Sequence, residues 1–375
     1  MKIGFFIGYL KSKEENIGGP WSYTVNLVRH LIKFKNLEIY LISHKRGSHP
    51  IYDETKTILL PNLPFVNLIE LKNLNLDIIH FNYIPLTFRK ISIFLFLKNV
   101  KKVVTIHGDE IYTIPELYDY GPPFLKWYCP FIEPRICKKT DALLPVSQNL
   151  CSRLLEHWKV SETKFHTVYN GIDHDTFKPI KNAHTKIREK YGLDNEFILH
   201  ISNFSIKKNP KTLIKTFEKL VTEENINMDL VIVGGRWKEN INRFLLDISP
   251  SVKQKIKLIG SVPLSDLPIF YSAAQLFFFP TYHETFGFPN VEAMACGTPV
   301  ISSNVYSVPE ITGNAALLCD PEDISGFMAT IKTVLEDNNL RKNMIRAGLK
   351  NAKRFTWENS AKEVAMIYNQ IIKNS

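Results

Sequence analysis

Short apolar runs alternate with amphipathic stretches along most of the chain. Residues 2–9 (KIGFFIGY) read as a buried strand. After a Gly-rich break at Gly18-Gly19-Pro20, Val25, Val28, Leu31 and Ile32 recur with helical spacing over residues 21–34. Further strands are expected at 38–43 (EIYLIS), 77–81 (DIIHF), 102–107 (KVVTIH), 142–147 (ALLPVS) and 164–169 (KFHTVY). Strands that alternate with helices predict a parallel sheet in a doubly wound domain.

A break at Asn170-Gly171-Ile172-Asp173 opens a polar stretch to about residue 195. The pattern then restarts. Strands are expected at 197–202 (FILHIS), 229–235 (DLVIVGG), 256–262 (IKLIGSV), 276–280 (LFFFP), 299–303 (PVISS) and 316–320 (ALLCD), with a helix at 210–221. Helical patterns near 322–336, 339–354 and 357–373 close the chain. The fold class expected is α/β, with two doubly wound, Rossmann-like domains facing a cleft: residues 1–172, then 173–356, with a terminal helix 357–375 packing back on the first domain.

Composition narrows the field. Hydrophobic residues make up 45% and charged residues 22%, enough for a packed core and against disorder. The net charge is +10, spread evenly: 22 basic and 17 acidic residues up to position 175, 25 and 20 after it. That suits anionic ligands or an anionic membrane surface. Nucleic acid is not expected, since no helix-turn-helix, zinc-finger or RNA-binding signature accompanies the charge. The five cysteines form no C-x-x-C pair and read as reduced thiols of a cytoplasmic protein, possible at the inner face of a membrane. The opening apolar run is too short for a signal peptide, and no run approaches the ~20 residues of a spanning helix.

The segment from His283 to Val300 carries the most chemistry. Glu284 falls in the loop after a strand, and Glu292 on the helix that follows. Gly287 between them permits close backbone approach to a ligand, and free amides at the helix start suit anions or sugar hydroxyls. A carboxylate can accept two hydroxyl hydrogen bonds at once, as a vicinal diol offers. By itself, a pair of glutamates eight residues apart reads equally as one solvated side chain and one helix cap.

The whole run E-x-F-G-x-x-x-x-E-A-M-A-x-G-x-P-V resembles the signature of glycosyltransferase family 4, retaining enzymes of the GT-B fold. The resemblance extends over Ser307–Ile311, Ala315–Pro321, Asn170–Asp173 and Phe355-Thr356-Trp357. It implies an acceptor-binding first domain and a nucleotide-sugar-binding second domain. Glu284 would then meet the donor sugar and Glu292 the ribose, with backbone amides of Phe286, Gly287 and Phe288 around sugar and phosphates.

Four other places acquire roles from the same resemblance. In the loop from Ser202 to Pro210 the family carries an Arg and a Lys five residues apart. Lys208 matches the Lys, Asn203 stands where the Arg usually is, and Lys207 is a candidate substitute for the missing charge. Cations there would stabilise a departing diphosphate. Gly19 would approach that diphosphate. His107, at a strand end, would touch the donor sugar, and Asp109 would orient sugar or acceptor. Gly235 and Val262 would border the nucleotide base. Asp173-His174-Asp175 has the form of a metal-binding Asp-x-Asp but falls in the connection between domains, so no metal or other cofactor is expected.

The implied activity is transfer of a hexose (mannose, glucose or N-acetylhexosamine type) from a GDP- or UDP-linked donor to a hydroxyl of a glycan or lipid-linked glycan, in surface polysaccharide or glycoconjugate synthesis. A nucleotide-sugar epimerase and a non-catalytic sugar-nucleotide-binding subunit are the alternatives. Residues 86–102 (LTFRKISIFLFLKNVKK) read either as a basic amphipathic helix on anionic lipid or as a core helix with solvated ends.

Overall fold

The computed structural model describes residues 1–7, 19–61, 64–117 and 122–373. It divides into two compact units, one built from the chain before Ile172 together with the C-terminal helix, the other from Ile172–Phe355.

The first unit contains a six-stranded parallel sheet made of β1 (Lys2–Phe6), β2 (Glu38–Ser43), β3 (Lys56–Leu59), β4 (Ile78–Phe81), β5 (Lys101–Ile106) and β6 (Ala142–Pro145), in the order β3-β2-β1-β4-β5-β6. The second contains β7 (Phe197–Ile201), β8 (Asp229–Val233), β9 (Ile256–Gly260), β10 (Leu276–Phe279), β11 (Val300–Ser303) and β12 (Ala316–Cys319), in the order β12-β11-β10-β7-β8-β9. The two orders are the same topology. In each, the chain starts in the middle, winds outward to one edge, then returns and winds to the other. Ligands of such sheets bind at the carboxyl ends of the strands flanking the reversal, here β1 and β4 in one sheet and β7 and β10 in the other.

Most strands are buried and largely apolar because helices cover both faces of each sheet. β4, β6, β7, β8, β10 and β11 are buried at every residue. In the second unit Phe278 packs on Phe327, and Phe204 edges onto Trp237, within one core that also takes Leu213, Phe217 and Ile331. Each such side chain is worth ~1.5–3 kcal/mol in burial.

The C-terminal helix Trp357–Lys373 belongs to the first unit, where its Tyr368 hydroxyl bonds His80 Nδ1 on β4 at 2.6 Å. His80 Nε2 reaches Thr105 at 2.7 Å, and Thr105 reaches Tyr23 at 2.8 Å. This fully buried chain satisfies four polar side chains that would otherwise be costly to bury.

Two readings need correction. Residues 164–169 form no named strand; Lys164 ends a 3-10 turn, and the residues after it run extended beside β6, joined by His166 N to Leu143 O (2.9 Å) and Val168 N to Pro145 O (3.0 Å). The helix near 86–102 is shorter, Phe88–Phe96, because Lys101 and Lys102 already belong to β5.

Candidate functional site

In the second unit the ends of β7, β8 and β9 are stitched together by backbone. Gly234 N donates to Gly260 O (2.8 Å), Phe204 N to Gly235 O (3.0 Å) and Trp237 Nε1 to Ser202 O (2.7 Å). Gly234 is obligatory in this weave: its φ is 137°, and a Cβ there would lie 2.0 Å from Ser202 O. The consequence is that two candidates meet, since exposed Asn203 accepts from Gly235 N at 3.1 Å. The Ser261 hydroxyl borders the same spot, 3.1 Å from where a Gly235 Cβ would stand. The Val262 side chain is buried, leaving its backbone to face any ligand.

Beyond Asn203 the loop turns through Ile206–Lys208 and stops at Asn209, which caps the Pro210–Thr222 helix by accepting from Thr212 N. That turn aims Lys208 toward β10. Its ammonium sits over the Phe279 ring at 5.1 Å and forms an ion pair with Glu284. Both members are largely buried, 16% and 12% exposed at the side chain. Thr281 Oγ1 also approaches Glu284 Oε1 at 3.4 Å. Lys207 is buried, and its carbonyl accepts from Tyr282 N (2.8 Å) and Thr281 Oγ1 (3.0 Å), so this residue ties the β7 loop to the β10 loop through its backbone.

Gly287, with φ at 85°, occupies the N-cap of the Phe288–Ala295 helix, and Pro289 follows in the first turn where a missing N–H costs nothing. Phe286 is buried against Phe288 (5.0 Å) and Phe355 (5.3 Å), which fixes the loop between the two glutamates. Glu292 lies on the helix, apart from Lys208. Its one hydrogen-bond partner among the described residues is the Tyr271 hydroxyl, at 2.9 Å. Burial pushes its carboxyl up to about 7, with the Tyr271 bond opposing that rise. The two glutamates therefore differ in electrostatic state: one neutralised by a cation, the other poised near neutral pH. Asn290, between them, is fully buried, and its amide N and O make no hydrogen bond among the described residues. No sequence signal singled out Tyr271 or Asn290, because their positions matter only once the helix packs.

In the first unit, Gly18 lies outside the described residues, and Gly19 is the first residue of the Gly19–Leu31 helix after β1. His107, just past β5, is wedged between the rings of Tyr23 (4.7 Å) and Tyr83 (5.3 Å), and its Nε2 meets Asn82 Oδ1 at 3.0 Å. Asn82 Nδ2 donates to Thr24, so its oxygen faces His107 and Nε2 carries the proton. Burial lowers the imidazole to about 3, keeping it neutral at ordinary pH. Asp109 is buried, and its two oxygens accept from Arg153 Nε (2.6 Å) and Nη2 (3.1 Å). Its carboxylate is spent inside the protein, behind His107. Asn82 escaped the sequence reading because it follows β4 without any motif.

The Asp173-His174-Asp175 turn is closed on itself: Asp173 accepts from Asp175 N, Thr176 N and Thr176 Oγ1 at 3.0, 3.2 and 2.7 Å. In the 86–102 segment Phe94 is buried against Phe81, whereas Leu95 and Phe96 are exposed; the side chains of Phe88 and Arg89 lie outside the described residues. No described helix is long and apolar enough to cross a membrane.

Comparison with known proteins agrees with this architecture. Residues 183–351 match the model for glycosyl transferases group 1, and residues 17–176 that for Glycosyltransferase Family 4. The chain is 30% identical over 273 residues to an O-antigen chain mannosyltransferase B of Escherichia coli, covering 72% of this chain and 70% of that protein. Among solved structures, sucrose-phosphate synthase of Thermosynechococcus elongatus superposes with a TM-score of 0.78 at 20% identity, over 100% of both chains. HepE of Anabaena, solved with UDP, superposes at 0.78 with 17% identity, over 99% of this chain and 100% of that one. Two sheets of one topology, the glutamate-bearing loop after β10 and these matches lead to a single assignment: the chain belongs to the group 1, family 4 glycosyltransferases, hexosyltransferase enzymes of the GT-B fold.

Proposed function

We propose that this enzyme moves a mannosyl residue from a nucleotide diphosphate donor to a hydroxyl of a glycan or lipid-linked glycan during surface polysaccharide synthesis, with retention at the anomeric carbon. The observation that carries the reading is the Lys208–Glu284 pair at the ends of β7 and β10, the strands flanking the chain reversal. Similarity to the O-antigen mannosyltransferase supports mannose as the sugar.

In this reading the bond from the sugar anomeric carbon to the diphosphate breaks, a bond to the acceptor oxygen forms, and the acceptor proton passes to the departing phosphate. Lys208 stabilises the leaving diphosphate by charge, helped by the start of the Gly19–Leu31 helix. Glu284 accepts from sugar hydroxyls. Glu292 accepts from the ribose diol, and Asn203, Gly235 and Val262 border the base. The amides of Phe286, Gly287 and Phe288 line the sugar and phosphates. His107, held neutral, donates to or accepts from the sugar. Lys207 supports the loop through its backbone, and Asp109 positions the His107 segment through Arg153.

The test is calorimetric titration of the full chain with GDP-mannose, UDP-glucose and UDP-N-acetylglucosamine, followed by assay of the tightest binder for transfer to an extracted glycolipid acceptor. GDP-mannose should bind best and yield an α-linked product. Preference for a UDP-sugar would reassign the donor, and conversion of the donor without acceptor would favour an epimerase.

A further inference from the structure

The helix Leu125–Cys137 of the first unit presents a face that the protein leaves uncovered. Phe124, Trp127 and Phe131 are 48%, 69% and 57% exposed. Positions 124, 127, 131, 135 and 138 recur every three or four residues and so form one stripe along the helix. The stripe ends in Arg135 and Lys138, both exposed, with exposed Lys139 just past the helix end. The Arg135 guanidinium covers the Phe131 ring at 3.5 Å, and the Phe124 and Trp127 rings approach to 6.3 Å.

Exposed charge within this segment has one sign. Glu133 is the only acidic residue between positions 121 and 140, and it is turned inward, where it is buried and accepts from the Tyr112 hydroxyl at 2.6 Å. Burial raises its carboxyl above the ordinary range, against the lowering effect of the Tyr112 hydrogen bond. An apolar partner surface would satisfy the three rings but not the three cations. An anionic lipid surface satisfies both: rings enter the boundary between headgroups and acyl chains, and cations meet phosphates.

We propose that this face docks the protein on an anionic phospholipid membrane, with Phe124, Trp127 and Phe131 inserted and Arg135, Lys138 and Lys139 on the headgroups. The first turns of the helix lie at the carboxyl edge of the sheet, fixed by the Tyr128 hydroxyl donating to Leu86 O at 3.3 Å. That is the edge carrying His107, so docking would bring a lipid-borne acceptor to the right side of the unit. The segment 86–102 contributes less than its composition suggests, because Phe94 points into the core.

The experiment is co-sedimentation of the full chain with vesicles of equal parts phosphatidylglycerol and phosphatidylcholine, and with pure phosphatidylcholine. The protein should bind only the mixed vesicles. Trp127→Ser with Phe131→Ser should weaken binding by about tenfold or more. Lys138→Glu with Lys139→Glu should do so by a similar factor, at ~5-fold per lysine removed. Both variants should keep the wild-type melting temperature and donor affinity, which separates this proposal from that of the donor site. No binding to the mixed vesicles overturns it, as does binding that both variants retain. A concentration-dependent dimer lost in the Trp127 variant, without vesicle binding, would assign the face to a second copy of the chain and overturn it too.

Discussion

Lys208 and Glu284, 76 residues apart in sequence, neutralise each other across the ends of β7 and β10. In the proposed reading a donor parts them, giving the ammonium a diphosphate and the carboxylate sugar hydroxyls. A bare nucleoside diphosphate offers only the first exchange and leaves Glu284 beside its negative charge. Glu284→Gln should therefore tighten binding of the bare diphosphate, by about three- to tenfold for one charge-assisted contact released, while turnover falls. Calorimetry that finds weaker diphosphate binding in the variant would reject the exchange.

Glu292 should make donor binding depend on pH. Its carboxyl, raised to about 7 in the folded chain, must be ionised to accept both ribose hydroxyls. Affinity for nucleotide should fall by about fivefold from pH 7 to pH 6, following the ionised fraction, and Glu292→Gln should bind weakly at both. The sign for stability is opposite. An acid whose value is raised by folding holds its proton more tightly folded than unfolded, so it costs stability as pH rises from the ordinary carboxylate range through 7. The ligand-free Gln variant should thus be more stable than wild type at pH 8, by on the order of 1 kcal/mol for this partly buried group, and not at pH 4.5. Equal melting at pH 8 would mean that burial does not penalise the charge.

His107, lowered to about 3, contributes no acid limb to the pH–rate profile above pH 5. What matters is its tautomer, set by Asn82. Asn82→Ala should lower kcat by about fivefold or more for the lost hydrogen bond and leave binding of bare nucleotide unchanged. A matching loss of nucleotide affinity would show that the change had spread beyond the imidazole.

Gly234 and Gly235 should respond differently to alanine. A Cβ at Gly234 meets Ser202 O at 2.0 Å with φ at 137°, so Gly234→Ala should destabilise the second unit by ~3 kcal/mol or more. At Gly235 the nearest obstacle is the Ser261 hydroxyl at 3.1 Å, which a small rotation relieves, so Gly235→Ala should melt close to wild type. Similar losses in both would contradict the close approach of β7 and β8 loops.

Most strands were legible because buried parallel strands are runs of four to six apolar residues, as in LFFF of β10 and DLVIV of β8. β3 was not, since its KTIL is a half-exposed edge strand. The Leu125–Cys137 helix was hidden by Pro130 and Pro134, which normally end a helix but here sit inside one. At the site, Lys208 and Glu284 could be named from sequence, but not their pairing, which depends on the turn at Ile206–Lys208. Nor could sequence separate a solvated Asp109 from one locked to Arg153, because the arginine arrives from a helix 44 residues later.

The account's central claim is that the two glutamates divide the donor between them. The ratio of affinities for nucleotide sugar and bare nucleoside diphosphate, measured by calorimetry for wild type, Glu284→Gln and Glu292→Gln, tests it directly. The account predicts that Glu292→Gln weakens both ligands and preserves the ratio, whereas Glu284→Gln collapses the ratio by weakening the sugar nucleotide while tightening the bare diphosphate. Equal loss of both ligands in both variants would contradict it.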